Sequence, residues 1–193
     1  MSVNAQKAFL SMLGLPYRFA WQRKSSWKKF QHASAWYAFD TAASKVGALV
    51  VDGIPGPKTQ VHVAASKRHH NRVAPNFALR EFACPCGGRN AGCKGVWFSH
   101  VMVRKLQQVR ADLYPSGLAI LSGYRCRKVN ASLPGSVPNS AHLDGLAADI
   151  PQRVTGWQLH RYGFHGIEVR RSTGKVSHVD LRADLKVNTV FYV

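Results

Sequence analysis

A histidine, an aspartate and a second histidine, at positions 142, 149 and 178, constrain this chain more than any other feature. The first two lie in Ser-Ala-His-Leu-Asp-Gly-Leu-Ala-Ala-Asp-Ile, residues 140–150, and the third in Ser-His-Val-Asp, residues 177–180. Asp149 sits in the run Leu-Ala-Ala-Asp-Ile-Pro, where an unpaired buried carboxylate is costly. His178 and Asp180 are two apart on an expected strand and share one face, while Val179 and Leu181 take the other. A nearby carboxylate is the usual device for orienting a ligand histidine. Two imidazoles and one carboxylate suit a catalytic zinc that keeps one position open for water. If the three form one set, the fold must bring them to a single point.

The surrounding pattern is mixed. Residues 99–113 read as a helix with Val101, Val103, Leu106, Val109 and Leu113 on its apolar side. Residues 118–121 read as a short buried strand that runs into Ser122-Gly123-Tyr124-Arg125, and residues 147–150 as another. A short helix is expected over 156–162. A hairpin is expected from 166–170 and 175–182, joined by Arg171-Ser172-Thr173-Gly174. Residues 190–193 offer an edge strand. These elements make an α+β fold with a small, mostly antiparallel sheet flanked by helices.

The N-terminal part reads differently. Helices are expected over 4–13 and 24–47, the second with Trp27, Phe30, Ala33, Trp36, Tyr37 and Ala43 on a broad apolar face. Pro57 then stands near the first turn of a further helix. The basic stretch Lys67-Arg68-His69-His70-Asn71-Arg72, followed by Pro75, reads as a linker whose histidines are solvated. The expected organisation is a small helical domain over 1–70, a linker over 71–76 and a second domain over 77–193.

Charge and cysteines bound the partners. The chain carries 27 Lys+Arg against 9 Asp+Glu, a net +18 without a polybasic tail, and such a field attracts polyanions of any kind. No helix-turn-helix or aromatic ribonucleoprotein motif supports nucleic acid as the partner. No run approaches the ~18 apolar residues of a membrane span. The apolar stretch 8–17 is followed at once by Arg18, Arg23 and Lys24 and lacks a small-residue cleavage site, so a chain made in the cytoplasm without a signal peptide is expected. Cys84, Cys86 and Cys93 fall within ten residues and Cys126 stands apart. The Cys-x-Cys spacing is tighter than most structural zinc sites use. Two disulfides, a structural metal and free thiols all stay open, and the set is read as structural rather than catalytic.

Ser140-x-His142-Leu-x-Gly145-x-Ala-x-Asp149, preceded by Ser122-Gly123-Tyr124-Arg125 and Asn130 and followed by Gly166-Ile167 and His178-Val179-Asp180, resembles the zinc D-Ala-D-Ala carboxypeptidase family. That family also holds phage endolysin peptidases and vancomycin-resistance dipeptidases. The likeness covers residues 77–183, and the Phe-x-x-x-Glu-Phe-x-Cys lead-in at 77–84 resembles the entrance to such domains. It implies one Zn²⁺ on His142, Asp149 and His178, with a water in the fourth position to attack a peptide bond of the bacterial wall stem peptide. Arg125 matches the family's arginine near the metal and is expected to bind substrate carboxylate or the oxyanion. Tyr124 and Ser140 are candidates for positioning substrate or for a purely structural turn.

The chain departs from better-known members at the general base. They place an acidic residue three positions before the last histidine, where this sequence has Lys175, which cannot accept a proton while charged. Asp180 is the first candidate, equally able to orient a ligand, followed by Glu168 and then His165. Separately, Val50-Val51-Asp52-Gly53-Ile54-Pro55-Gly56-Pro57-Lys58-Thr59 resembles the repeat of small helical peptidoglycan-binding domains. Together these imply a peptidoglycan peptidase of carboxypeptidase or endopeptidase type, with anionic wall polymers as further partners. The setting is a phage lysin, or a virion part beside other virion proteins. A zinc-containing but inactive wall-binding module is the alternative.

Overall fold

The computed structural model describes residues 1–13, 15, 17–33, 40–70 and 72–193. Among them, helices α1 (Val3–Met12), α2 (Ala20–Ala33), α3 (Thr41–Val46) and α4 (Pro57–Arg68) form the N-terminal part. Phe9 of α1 stacks on Trp27 and meets Phe30 edge-on, both on α2, and the Trp27 indole N–H donates to Gln6 at 3.0 Å. The helix expected over 24–47 is therefore two. Asp40 caps α3 by accepting from Ala42 and Ala43 N–H, and a side chain that serves as N-cap marks a new start. Trp36 and Tyr37 lie outside the described residues, as does Asn71.

A buried glutamine shapes the next turn. Gln31 donates to Asp52 at 2.8 Å and to the Ile54 carbonyl at 3.0 Å, and its carbonyl accepts from Gly53 N–H at 2.8 Å. This clamp fixes the Asp-Gly-Ile-Pro turn ahead of α4, whose first residue is Pro57 as expected. The described residues of the basic stretch belong largely to regular elements. Lys67 and Arg68 finish α4, His69 Nε2 lies 2.9 Å from Asp40, and strands β1 (Arg72–Ala74) and β2 (Phe77–Ala78) pair antiparallel. His69 is held by that carboxylate rather than solvated.

The C-terminal part holds α5 (His100–Leu113), α6 (Arg127–Ala131), α7 (Gly156–Leu159) and strands β3 (Ala147–Asp149), β4 (Gly166–Arg170), β5 (Lys175–Asp180) and β6 (Thr189–Tyr192). The sheet order is β3-β5-β4-β6, antiparallel except for the parallel β4–β6 pair. The fold is α+β, as expected. Ala148, Val179 and Ile167 stand opposite one another in the first three strands and are fully buried. Met102, Val103, Leu106 and Val109 of α5 belong to the same apolar core, which also takes in Phe9, Trp27 and Phe30. Val101 points outward, 42% exposed, one residue off the apolar stripe. His32 of α2 stacks on Trp97 at 4.3 Å. Residues 118–121 are not a strand of the sheet. Leu118 is buried but Leu121 is 65% exposed, and the segment meets β3 at Asp149, whose carbonyl accepts from Leu121 N–H at 2.9 Å and whose N–H donates to the Ser122 carbonyl at 2.9 Å. Among the described residues no helix is long and apolar enough to cross a membrane.

Candidate metal centre

Strand register builds most of the site. Asp149, His178 and Glu168 oppose one another across β3, β5 and β4. Residues paired this way project to one face, here the face opposite the Ala148–Val179–Ile167 row. His142 arrives from a 3₁₀ turn, Ala141–Asp144, that ends on Gly145 in the left-handed region at φ 67°. A Cβ on Gly145 would stand 2.7 Å from Phe98 Cα, so only glycine lets this turn lie against the chain leading into α5. That packing holds His142 fully buried at the end of the row.

Three donor atoms then meet. His142 Nε2 lies 3.1 Å from Asp149 Oδ1 and 3.1 Å from His178 Nδ1, and His178 Nδ1 lies 2.9 Å from Asp149 Oδ1. Ligands at about 2.0–2.1 Å around a tetrahedral zinc stand roughly 3.3 Å apart, so the set needs only a few tenths of an ångström to admit the ion. The remaining ring nitrogens also fit. His142 Nδ1 donates to the Gly123 carbonyl at 2.6 Å, which leaves the Nε2 lone pair facing the other two groups. His178 Nε2 lies 3.4 Å from Asp180 Oδ2.

Electrostatics separate the members. Burial pushes the His142 pKa down, partly offset by Asp149. Burial also opposes charge on His178, but hydrogen bonds to Asp149 and Asp180 outweigh it and raise its pKa to about 9. Burial would raise Asp149, yet its bonds with both histidines hold it well below the usual carboxylate range.

The groove beside these three side chains has a volume of about 630 Å³ and is lined in part by Arg125, Ser140, Glu168, Ser177 and Phe191. Arg125 Nη2 lies 3.4 Å from Asp149 Oδ2, and its Nε is buried without a hydrogen-bond partner among the described residues. Glu168 accepts from the Ser177 hydroxyl at 2.8 Å, across the bulge where β4 and β5 change register. Asp180 is fully buried: Oδ1 accepts from Arg182 N–H at 3.1 Å and Oδ2 from Arg182 Nε at 3.0 Å. Burial alone would raise its pKa, but the bonds from His178 and Arg182 bring it to about 2. Tyr124 lies elsewhere, buried beside Cys84 and Cys126, with its hydroxyl accepting from Lys94 N–H at 3.2 Å. That is a packing position. Lys175 begins β5 opposite Arg170, and His165 Nδ1 donates to the Arg182 carbonyl at 2.7 Å.

Two participants escaped the sequence reading. The Gly123 carbonyl has no side-chain signal at all. Arg182 could have been found from its spacing of two after Asp180, which places both on one face of an extended chain.

A family model described as Peptidase M15 matches residues 75–173. That span includes His142 and Asp149, and His178 follows five residues after its end. No curated protein matches the chain.

Proposed function

The chain belongs to the Peptidase M15 family of zinc peptidases, and from that membership we propose that it hydrolyses a peptide bond in the stem peptide or cross-link of bacterial peptidoglycan. The observation that carries this reading is the convergence of His142 Nε2, Asp149 Oδ1 and His178 Nδ1 within 3.1 Å of one another at a groove. These three would hold the zinc. When bound, the ion supplies Lewis-acid chemistry, polarising a carbonyl and making water acidic enough to act as a nucleophile near neutral pH.

The chain's own residues divide the remaining work. Glu168 stands in the ligand row on the groove and is the group we assign to take the proton of the attacking water and pass it to the leaving amine. Asp180 has the weaker claim, because Arg182 engages both of its oxygens and its contact is with the nitrogen of His178 remote from the other ligands. We assign it to orienting His178. Arg125 offers a guanidinium with an uncommitted buried Nε and would bind a substrate carboxylate or the developing oxyanion. Ser140 lines the groove and would contact the peptide backbone.

We further assign residues 1–70 to wall binding and 77–193 to catalysis, joined through 71–76. The Gln31-clamped turn at residues 52–54 supports the first assignment. The net charge of +18 suits anionic wall polymers, whether the protein acts as a phage lysin or is carried in a virion.

Incubation with purified peptidoglycan is expected to release muropeptides with new amino and carboxyl termini, read by mass spectrometry. Chelation should abolish them, added Zn²⁺ restore them, and His178→Ala remove them. Absence of products while zinc occupies His142, Asp149 and His178 would overturn the peptidase reading. It would leave a wall-binding module that uses the same groove.

A further inference from the structure

A second set of ligand-type side chains converges away from the groove. Cys84 and Cys86 flank Pro85 just after the 3₁₀ turn Leu79–Phe82, Cys93 closes a glycine-rich loop, and Cys126 immediately precedes α6. Cys86 Sγ lies 3.5 Å from Cys84 Sγ, 3.4 Å from Cys93 Sγ and 3.9 Å from Cys126 Sγ. All four sulfurs fall within 4.8 Å of one another. A disulfide joins two sulfurs at about 2.05 Å and leaves the pair distinct from its neighbours. Four thiolates on a tetrahedral zinc at about 2.3 Å stand roughly 3.8 Å apart. One sulfur nearly equidistant from three others is the second arrangement.

The surroundings suit thiolates. Cys126 N–H donates to Cys84 Sγ at 3.3 Å, Gly95 N–H to Cys93 Sγ at 3.3 Å and Asn90 Nδ2 to Cys126 Sγ at 3.4 Å. Such donors stabilise charge on sulfur. Lys29, from α2, is near enough for its charge to act on Cys86 and Cys93. Tyr124, Trp97 and Val129 pack around the cluster, and Cys84 and Cys126 are buried.

We propose that Cys84, Cys86, Cys93 and Cys126 bind one Zn²⁺ as a closed, four-thiolate structural site, separate from the His142–Asp149–His178 centre. With four protein ligands it has no open position and no hydrolytic role of its own. Its place in the chain gives it a positioning role. The segment from Gly123 to Cys126 carries the carbonyl that fixes His142 and the side chain of Arg125, whose backbone N–H donates to the His142 carbonyl at 3.1 Å. An ion on Cys126 would anchor that segment to the loop that holds Cys84, Cys86 and Cys93.

The test is metal content of the whole chain purified under reducing conditions with Zn²⁺, together with the absorption of Co²⁺-substituted protein. About two zinc ions per chain are expected in wild type and about one in each of His178→Ala and Cys93→Ser. Cobalt-loaded His178→Ala should keep a strong thiolate-to-metal charge-transfer band, and this readout needs no cysteine variant to fold. One zinc per chain in wild type that vanishes in His178→Ala, or cobalt-loaded wild type without a thiolate band, would overturn the proposal. So would sulfurs in the reduced preparation that resist alkylation as two disulfides. Retention of the thiolate-bound ion does not depend on peptide cleavage, so the two readings can fail independently.

Discussion

At Asp180 the carboxylate is held by Arg182 through both oxygens and turned toward the far nitrogen of His178. Room for it exists because Gly166, opposite on β4, has no side chain; a Cβ there would run into the carboxylate. Replacing an acceptor that orients a metal-bound histidine typically costs ten- to a hundredfold in metal affinity. Asp180→Asn is therefore expected to raise, by about that factor, the zinc concentration needed to restore activity to chelator-treated protein. Glu168 predicts the opposite pattern. Glu168→Gln keeps the hydrogen-bonding shape toward Ser177 and removes the proton acceptor, so turnover should fall about 10²–10⁴-fold while zinc content stays that of wild type. Measuring metal content and turnover on both variants separates orientation from proton transfer. An Asp180→Asn enzyme with full affinity and a Glu168→Gln enzyme with full turnover would reverse the assignment. The candidate set of His142, Asp149 and His178 was legible in the sequence, because its residue types are those that can bind a metal, and the structure brings the three together. The choice we propose between carboxylates was not, because it rests on Arg182 occupying both oxygens of Asp180.

Among the elements, α3 and α4 are tied by Asp40, which caps one and receives Arg68 and His69 from the end of the other at 2.9 Å each. The Ala43 backbone N–H is the main cause that lowers its pKa to about 2, with Arg68 and His69 adding to it. The folded value thus lies below the unfolded one of about 3.9. Its contribution is full above pH 4 and fades as pH falls toward 2. Asp40→Ala should cost about 1–2 kcal/mol in chemical denaturation at pH 7. The difference from wild type should shrink on acidification across that window. This tie also explains why the single helix over 24–47 and the solvated His69 were not found: a stripe of apolar residues gives no warning that an aspartate will serve as a cap, or that His69 will reach back to it. The hairpin was easier. Alternation in 166–170 and 175–182 marks a core face, and β4 and β5 lie within those bounds. Residues 118–121 failed for the converse reason. Their apolar content matches a strand, but the pairing with β3 is a single bridge at the end of the segment, where Leu121 and Ser122 meet Asp149.

For the whole molecule, the net charge of +18 is a property that no single residue carries. If it holds the protein on anionic wall polymers, retention on isolated walls should fall steeply as salt rises and the screening length shrinks below ~8 Å. Cleavage of a small neutral stem-peptide substrate should change far less over the same range. A sedimentation assay run beside a peptide assay makes that comparison. The row of Asp149, His178 and Glu168 has a further consequence for how the chain reaches its native state. His178 is 29 residues from Asp149 and 36 from His142 in sequence, so an ion held by these three could not gather them until β5 had docked on β3. A slip of one residue between those strands turns His178 to the opposite side and brings Val179 out in its place. A slipped chain would offer the metal two ligands at most. Zinc would then act as a proofreader of folding, binding tightly only to chains whose strands have aligned correctly.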